Sequence, residues 1–120
     1  ITTISRFRIA CGEDFAVWSG NDDQIVPVIA SGGSGVISVV SNVCPEETCA
    51  MCQAALSGDF ETAANLQRHL LPLIDLLFCE VNPIPVKAAM RCIGYDCGDC
   101  RLPLSNLTKE HQQQMERYFA

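Results

Sequence analysis

The sequence predicts an α/β protein, in which a strand–helix–strand unit is followed by a run of helices. Two short apolar runs, residues 15–18 and 36–40, have the length and content of buried strands. A segment with helix-start and helix-stop signals joins them, and glycines mark the return into the second run. Further on, apolar residues recur at three-and-four spacing, the pattern of helices with one buried face. Strand, crossover helix and strand make the unit of a parallel sheet. Two parallel strands cannot cover their own faces, and such sheets are normally buried on both sides. The chain is therefore expected to be the last part of a larger α/β protein.

Each element has a local cause. Residues 5–10 read as the end of a helix closed by Gly12. Asp14 leads into Phe15-Ala16-Val17-Trp18, and Ser19-Gly20 ends that strand. Asn21-Asp22-Asp23 supplies acceptor side chains for a helix over 24–31, where Pro27 is tolerated in the first turn. Gly32-Gly33-Ser34-Gly35 returns the chain into Val36-Ile37-Ser38-Val39-Val40, the strongest strand pattern present. Ser41-Asn42 breaks that run. Pro45-Glu46-Glu47 opens the next helix, with proline in the first turn and acids facing the positive end of the dipole. A long helix follows over 60–78, with Ala63, Leu66, Leu70, Leu73, Ile74 and Leu77 on one stripe and Pro72 predicting a kink or break. Asn82-Pro83-Ile84-Pro85-Val86-Lys87 forbids a helix interior and forms an elbow, with Pro85 at the first position of a short helix to residue 93. A turn-rich loop covers 94–99, residues 102–104 are extended, and a last helix spans 109–119 behind a Thr-x-x-His start.

Composition narrows the function classes. Hydrophobic residues are 48% and charged residues 18% of the 120, which suits a globular domain rather than a disordered chain. A net charge of -6 argues against nucleic acid and anionic membrane surfaces as partners. No apolar run approaches the roughly 20 residues of a membrane span. The opening Ile1-Thr2-Thr3-Ile4 has no starting Met, basic region or apolar core, so a signal peptide is not expected and a cytoplasmic, reducing location is.

Several residue sets could carry chemistry. Cys44-x4-Cys49-x2-Cys52 and Cys92-x4-Cys97-x2-Cys100 repeat one spacing, and two CxxC pairs can hold zinc or an iron–sulfur cluster. The alternative makes Cys49 and Cys52 small hydrophobes one helical turn apart, with a local Cys97–Cys100 disulfide under oxidising conditions. Lys87, beside prolines, could be a desolvated Schiff-base amine or a helix-start lysine reaching solvent. His69 and His111 read as helix-surface residues. The 32–35 glycines precede a strand instead of opening a helix, so they read as a turn rather than a phosphate cradle. No GxGxxG, Walker, HExxH or GxSxG pattern occurs.

Taken together, Ser19-Gly20-Asn21-Asp22, Gly32-Gly33-Ser34-Gly35-Val36-Ile37-Ser38-Val39, Ser41-Asn42-Val43, Asn82-Pro83-Ile84-Pro85-Val86-Lys87 and Leu102-Pro103-Leu104 resemble the dihydrodipicolinate synthase family in order and spacing. The resemblance covers essentially the whole chain. It implies the C-terminal part of a (β/α)8 TIM barrel, with residues 1–58 as the last βα units and 59–120 as a C-terminal helical domain. Such barrels take about 250 residues. Residues 14–20 would be strand seven and 36–40 strand eight. The family is implied to condense pyruvate with aspartate semialdehyde through a Schiff base in lysine (diaminopimelate) biosynthesis, as a homotetramer without metal or cofactor. The Schiff-base lysine would lie upstream of Ile1, so no catalytic residue and no activity is expected in this piece alone. Two positions are implied to bind substrate: Gly20 at the rim of strand seven, and Ile37, whose carbonyl would face the lysine. Asn42 is a further candidate. Lys87 is not the implied Schiff-base residue. The competing readings are a sister pyruvate-dependent aldolase, similar to N-acetylneuraminate lyase, and a helical metal-binding module using the CxxC pairs.

Overall fold

The computed structural model describes all residues from Ile1 to Ala120. It is mostly helical, with one pair of short parallel strands. Helices α1 (Thr2–Cys11), α2 (Ile25–Ala30), α3 (Pro45–Leu56), α4 (Phe60–Leu77), α5 (Ile84–Cys92) and α6 (Lys109–Phe119) account for most of the chain. Strand β1 (Trp18–Ser19) pairs with β2 (Gly35–Val36), Trp18 opposite Gly35 and Ser19 opposite Val36. Contacts divide the chain into two compact units, Ile1–Leu70 and Leu71–Ala120, and the division falls within α4.

In the first unit, α1 ends at Gly12, whose φ of 86° takes the chain out of the helix while its amide donates to the Arg8 carbonyl. The Arg8 guanidinium then donates to the Glu13 and Phe15 carbonyls, fixing the path into β1. The α2 helix follows a short 3-10 turn, Asp22–Gln24, and buries Ile25, Val28 and Ile29. Its exit is tight. The Gly33 amide donates to the Val28 carbonyl at 2.8 Å, and a Cβ on Gly33 would stand 2.7 Å from that oxygen. Pro45 opens α3, which buries Thr48, Met51 and Ala55. The α2–α3 pairing, with β2 beside both helices, forms the core of this unit.

The two strands are shorter than the apolar runs predict. Regular pairing is confined to two residues on each side. It is extended only by the Ser34 amide on the Val17 carbonyl and the Ile37 amide on the Ser19 carbonyl. Residues 15–16 lie before β1. Val39 and Val40 turn out of the strand direction, because the Asp22 carboxylate takes both of their amides and a 3-10 turn, Val40–Asn42, begins. Ile37 therefore lies one residue past β2 instead of inside a five-residue strand.

Helix α4 begins in the first unit and ends in the second, which is otherwise made of α5, α6 and their loops. Ala63, Leu70, Leu73, Ile74 and Leu77 of α4 are all buried, as the stripe predicts, and Leu66 is partly so. The helix runs unbroken through Pro72, so of the expected kink or break, the break does not occur. The Asn82–Lys87 elbow does start a helix, but Ile84 rather than Pro85 is its first residue. Ile84, Pro85, Val86, Ala88 and Ala89 are buried. Residues 102–103 form a turn, with the Leu104 amide on the Arg101 carbonyl, where an extended segment was expected. The α6 helix spans the predicted residues, packs on α5 and buries Met115.

Candidate functional site

Parallel strands present their functional groups at their C-terminal ends, and both strands here end within one hydrogen-bonded patch. Ser19 is buried at the end of β1. Its Oγ donates to the Asn21 carbonyl at 2.9 Å and accepts the Asn21 amide at 3.1 Å, which folds the chain over at Gly20. A Cβ built on Gly20 meets nothing within 4 Å, so the space beside it is open. Ile37 follows Val36, the partner of Ser19; its amide donates to the Ser19 carbonyl at 2.8 Å and its residue surface is 74% exposed. The structure thus brings Gly20 and Ile37 to the same ends of the two strands. Asn42 is exposed, and its amide group donates to the Val39 carbonyl, closing the 3-10 turn.

Asp22 underlies this patch. It is 1% exposed, and one carboxylate oxygen, Oδ2, accepts the Val39 and Val40 amides at 2.9 Å each. The other, Oδ1, has no partner. The Asp22 carbonyl accepts from the Gln67 side chain at 2.8 Å, and the same Gln67 receives the Val26 amide. Sequence patterning assigned Asp22 to the helix start. No side-chain cap forms there, and nothing in the local pattern distinguishes Asp22 from its exposed neighbour Asp23.

The Cys44 and Cys52 thiols are poor nucleophiles. Burial, reinforced by Glu47, pushes the Cys44 thiol up to about 11. Burial also raises Cys52, with Cys49 and Asp22 adding to the effect. Burial likewise raises Cys79 and Cys92. All eight cysteines are free, and no group of three or more His, Cys, Asp or Glu side chains comes together to hold a metal. The repeated CxxC spacing does not build a metal centre in this structure.

In the second unit, Lys87 neither reaches solvent freely nor lies naked in an apolar pocket. Its Nζ donates to the carbonyls of Cys97, Gly98 and Asp99 at 2.9, 3.3 and 3.0 Å. Arg91 binds the same loop through the Gly98 carbonyl and the Asp99 carboxylate. Asp96 is held below the usual carboxylate range, first by the Gly98 amide and then by Arg91. His69 is an exposed helix residue, as expected. His111 is not a free surface residue: its Nδ1 donates to Glu80 Oε1 at 2.6 Å. The Thr108 hydroxyl and amide converge on that same oxygen.

The paired strand ends with helices behind them define part of an α/β scaffold whose polar backbone groups collect at one edge. A family model for the dihydrodipicolinate synthetase family matches residues 1–120. The chain belongs to that family. It is 45% identical over 117 residues to the 4-hydroxy-tetrahydrodipicolinate synthase of Caldicellulosiruptor bescii, covering 98% of this chain and 39% of the relative. The crystal structure of dihydrodipicolinate synthase from Aquifex aeolicus superposes with a TM-score of 0.92 at 40% identity, over 96% of this chain and 39% of that one. The chloride-inhibited enzyme from Acinetobacter baumannii, solved in complex with pyruvate, gives 0.89 at 32% identity, over 95% and 39%. The chain spans about two fifths of the length of the relatives it matches.

Proposed function

We propose that this chain is the C-terminal part of a 4-hydroxy-tetrahydrodipicolinate synthase, a cytoplasmic lyase that condenses pyruvate with aspartate semialdehyde in lysine biosynthesis. In this reading β1 and β2 are the last two strands of a (β/α)8 barrel. Residues 1–58 are its final βα units, and 59–120 form a C-terminal helical domain entered through the Asn82–Lys87 elbow. The whole enzyme is a homo-oligomer, a tetramer by its family. The observation that carries the reading is the pairing of an open Gly20 with an exposed Ile37 at the ends of adjacent parallel strands, in a chain of this family.

The chemistry assigns this chain a supporting part. A lysine amine contributed upstream adds to the ketone carbon of pyruvate and expels water, and the resulting iminium acts as the electron sink. No metal is required for that step. Gly20 leaves room for the substrate, and the Ile37 carbonyl orients the amine as a hydrogen-bond acceptor. Neither Lys87, committed to three carbonyls, nor Lys109 at the exposed start of α6 is placed to form the imine.

Borohydride trapping tests the reading. The 120-residue chain with pyruvate is expected to yield no adduct. The same chain joined to the upstream residues of its own protein is expected to yield one covalent pyruvate per subunit and to consume aspartate semialdehyde. A pyruvate trapped on Lys87 would sink the proposal. Trapping with turnover of a different aldehyde would assign the chain to a sister aldolase.

A further inference from the structure

We propose that Asp22 is a positioning residue for this site: its buried carboxylate sets the backbone that carries the Ile37 carbonyl. The proposal rests on the reading of Ile37 above. A carboxylate that is 1% exposed and leaves Oδ1 without a partner is a costly arrangement for stability alone. A neutral side chain could cap two amides with a smaller desolvation penalty. What the carboxylate does is geometric. Oδ2 lies 2.9 Å from the amides of both Val39 and Val40, and this double contact ends the strand and starts the next turn.

Residue 37 is held from two sides. Upstream, its amide is fixed to the Ser19 carbonyl at the end of β1. Downstream, the chain is pinned within two residues by Asp22. Both anchors come from the segment running from β1 into α2, so the ends of the two strands are tied to each other directly. Asp22 is itself fixed from behind, because Gln67 of α4 holds its carbonyl at 2.8 Å and also caps the Val26 amide at the start of α2. Without the Asp22 contact, the turn keeps its local Ser38–Ser41 and Val39–Asn42 hydrogen bonds but loses its tie to the segment between β1 and α2, so residues 37–40, whose apolar sequence favours extension, are free to shift against β1. The carbonyl direction at Ile37 would then change, with no change in any side chain at the site.

The test separates length from charge in the protein that includes its upstream residues. Asp22→Asn keeps the reach and an acceptor oxygen. Asp22→Glu keeps the charge but displaces the acceptor by one methylene in a closed space. Imine formation is measured by borohydride trapping, as a rate per folded molecule, and the pyruvate concentration giving half-maximal trapping is recorded with it. Asp22→Glu is expected to lower the saturating rate fivefold or more while half-saturation moves less than threefold. Asp22→Asn is expected to stay within threefold of the wild type in both. A loss under fivefold in Asp22→Glu, or an equal loss in Asp22→Asn, overturns the proposal. A wild-type protein that traps no pyruvate overturns the functional reading instead. The anchor is then read by amide exchange at Val39 and Val40, expected to be at least tenfold faster in Asp22→Glu than in Asp22→Asn. Equal exchange rates in the two variants overturn the anchor itself.

Discussion

Lys87 donates to three successive backbone carbonyls, so its charge organises a loop rather than a reaction. A primary ammonium has three donors in a compact head, which suits three converging carbonyls better than a planar guanidinium does. Lys87→Met is expected to cost about 1–2 kcal/mol in urea unfolding, below the upper values for charged hydrogen bonds because Lys87 is partly exposed and screened by solvent. Lys87→Arg should recover little of it. Equal stability in wild type and Lys87→Met would show that Arg91 alone holds the 96–100 loop. Cys44 makes a parallel point: with its thiol near 11, close to neutral pH it is a packing residue and not a reactive one.

At the level of elements, helix α6 is started by a residue outside it. Thr108 makes no side-chain cap of its own; Glu80 accepts the Thr108 amide and hydroxyl and the His111 ring together. Those contacts, the Thr108 hydroxyl first and His111 next, hold the Glu80 carboxyl below the ordinary range. A carboxyl depressed on folding stabilises above its unfolded value, about 4.3, and that contribution fades as pH falls through the folded value. The stability gap between wild type and Glu80→Ala is therefore expected to be open at pH 6 and to close toward pH 3, as followed by thermal unfolding. A gap independent of pH would remove the carboxylate from the account. The α2 exit makes a second prediction. Gly33→Ala sets a Cβ 2.7 Å from the Val28 carbonyl oxygen, a backbone atom that cannot swing aside. It should destabilise by about 1–3 kcal/mol, the usual cost of overpacking.

For the molecule as a whole, the strand pair leaves Phe15, Trp18 and Ile37 about half or more exposed. Apolar groups gathered beside unpaired strand edges favour association. The 120-residue chain is expected to self-associate in sedimentation velocity at tens of micromolar, and Ile37→Lys to shift it toward monomer. A strictly monomeric wild type at high concentration would contradict this.

Local signals along the chain place helices α3, α4 and α6 nearly to the residue and mark the buried stripe of α4, and its motifs carry the family. Proline at a first turn, glycine at an exit and apolar spacing of three and four are local signals that the chain obeys wherever they are strong. Gly20 and Ile37 came from the family pattern, and the structure sets them at neighbouring strand ends. The short length of the strands, the unbroken path through Pro72, and the contacts of Asp22, Lys87, Glu80 and His111 are visible only in the folded chain. The physical reason is reach. The amides that bind Asp22 lie 17 and 18 residues away, and Glu80 meets His111 across 31 residues, so neither pairing leaves a periodic trace along the chain.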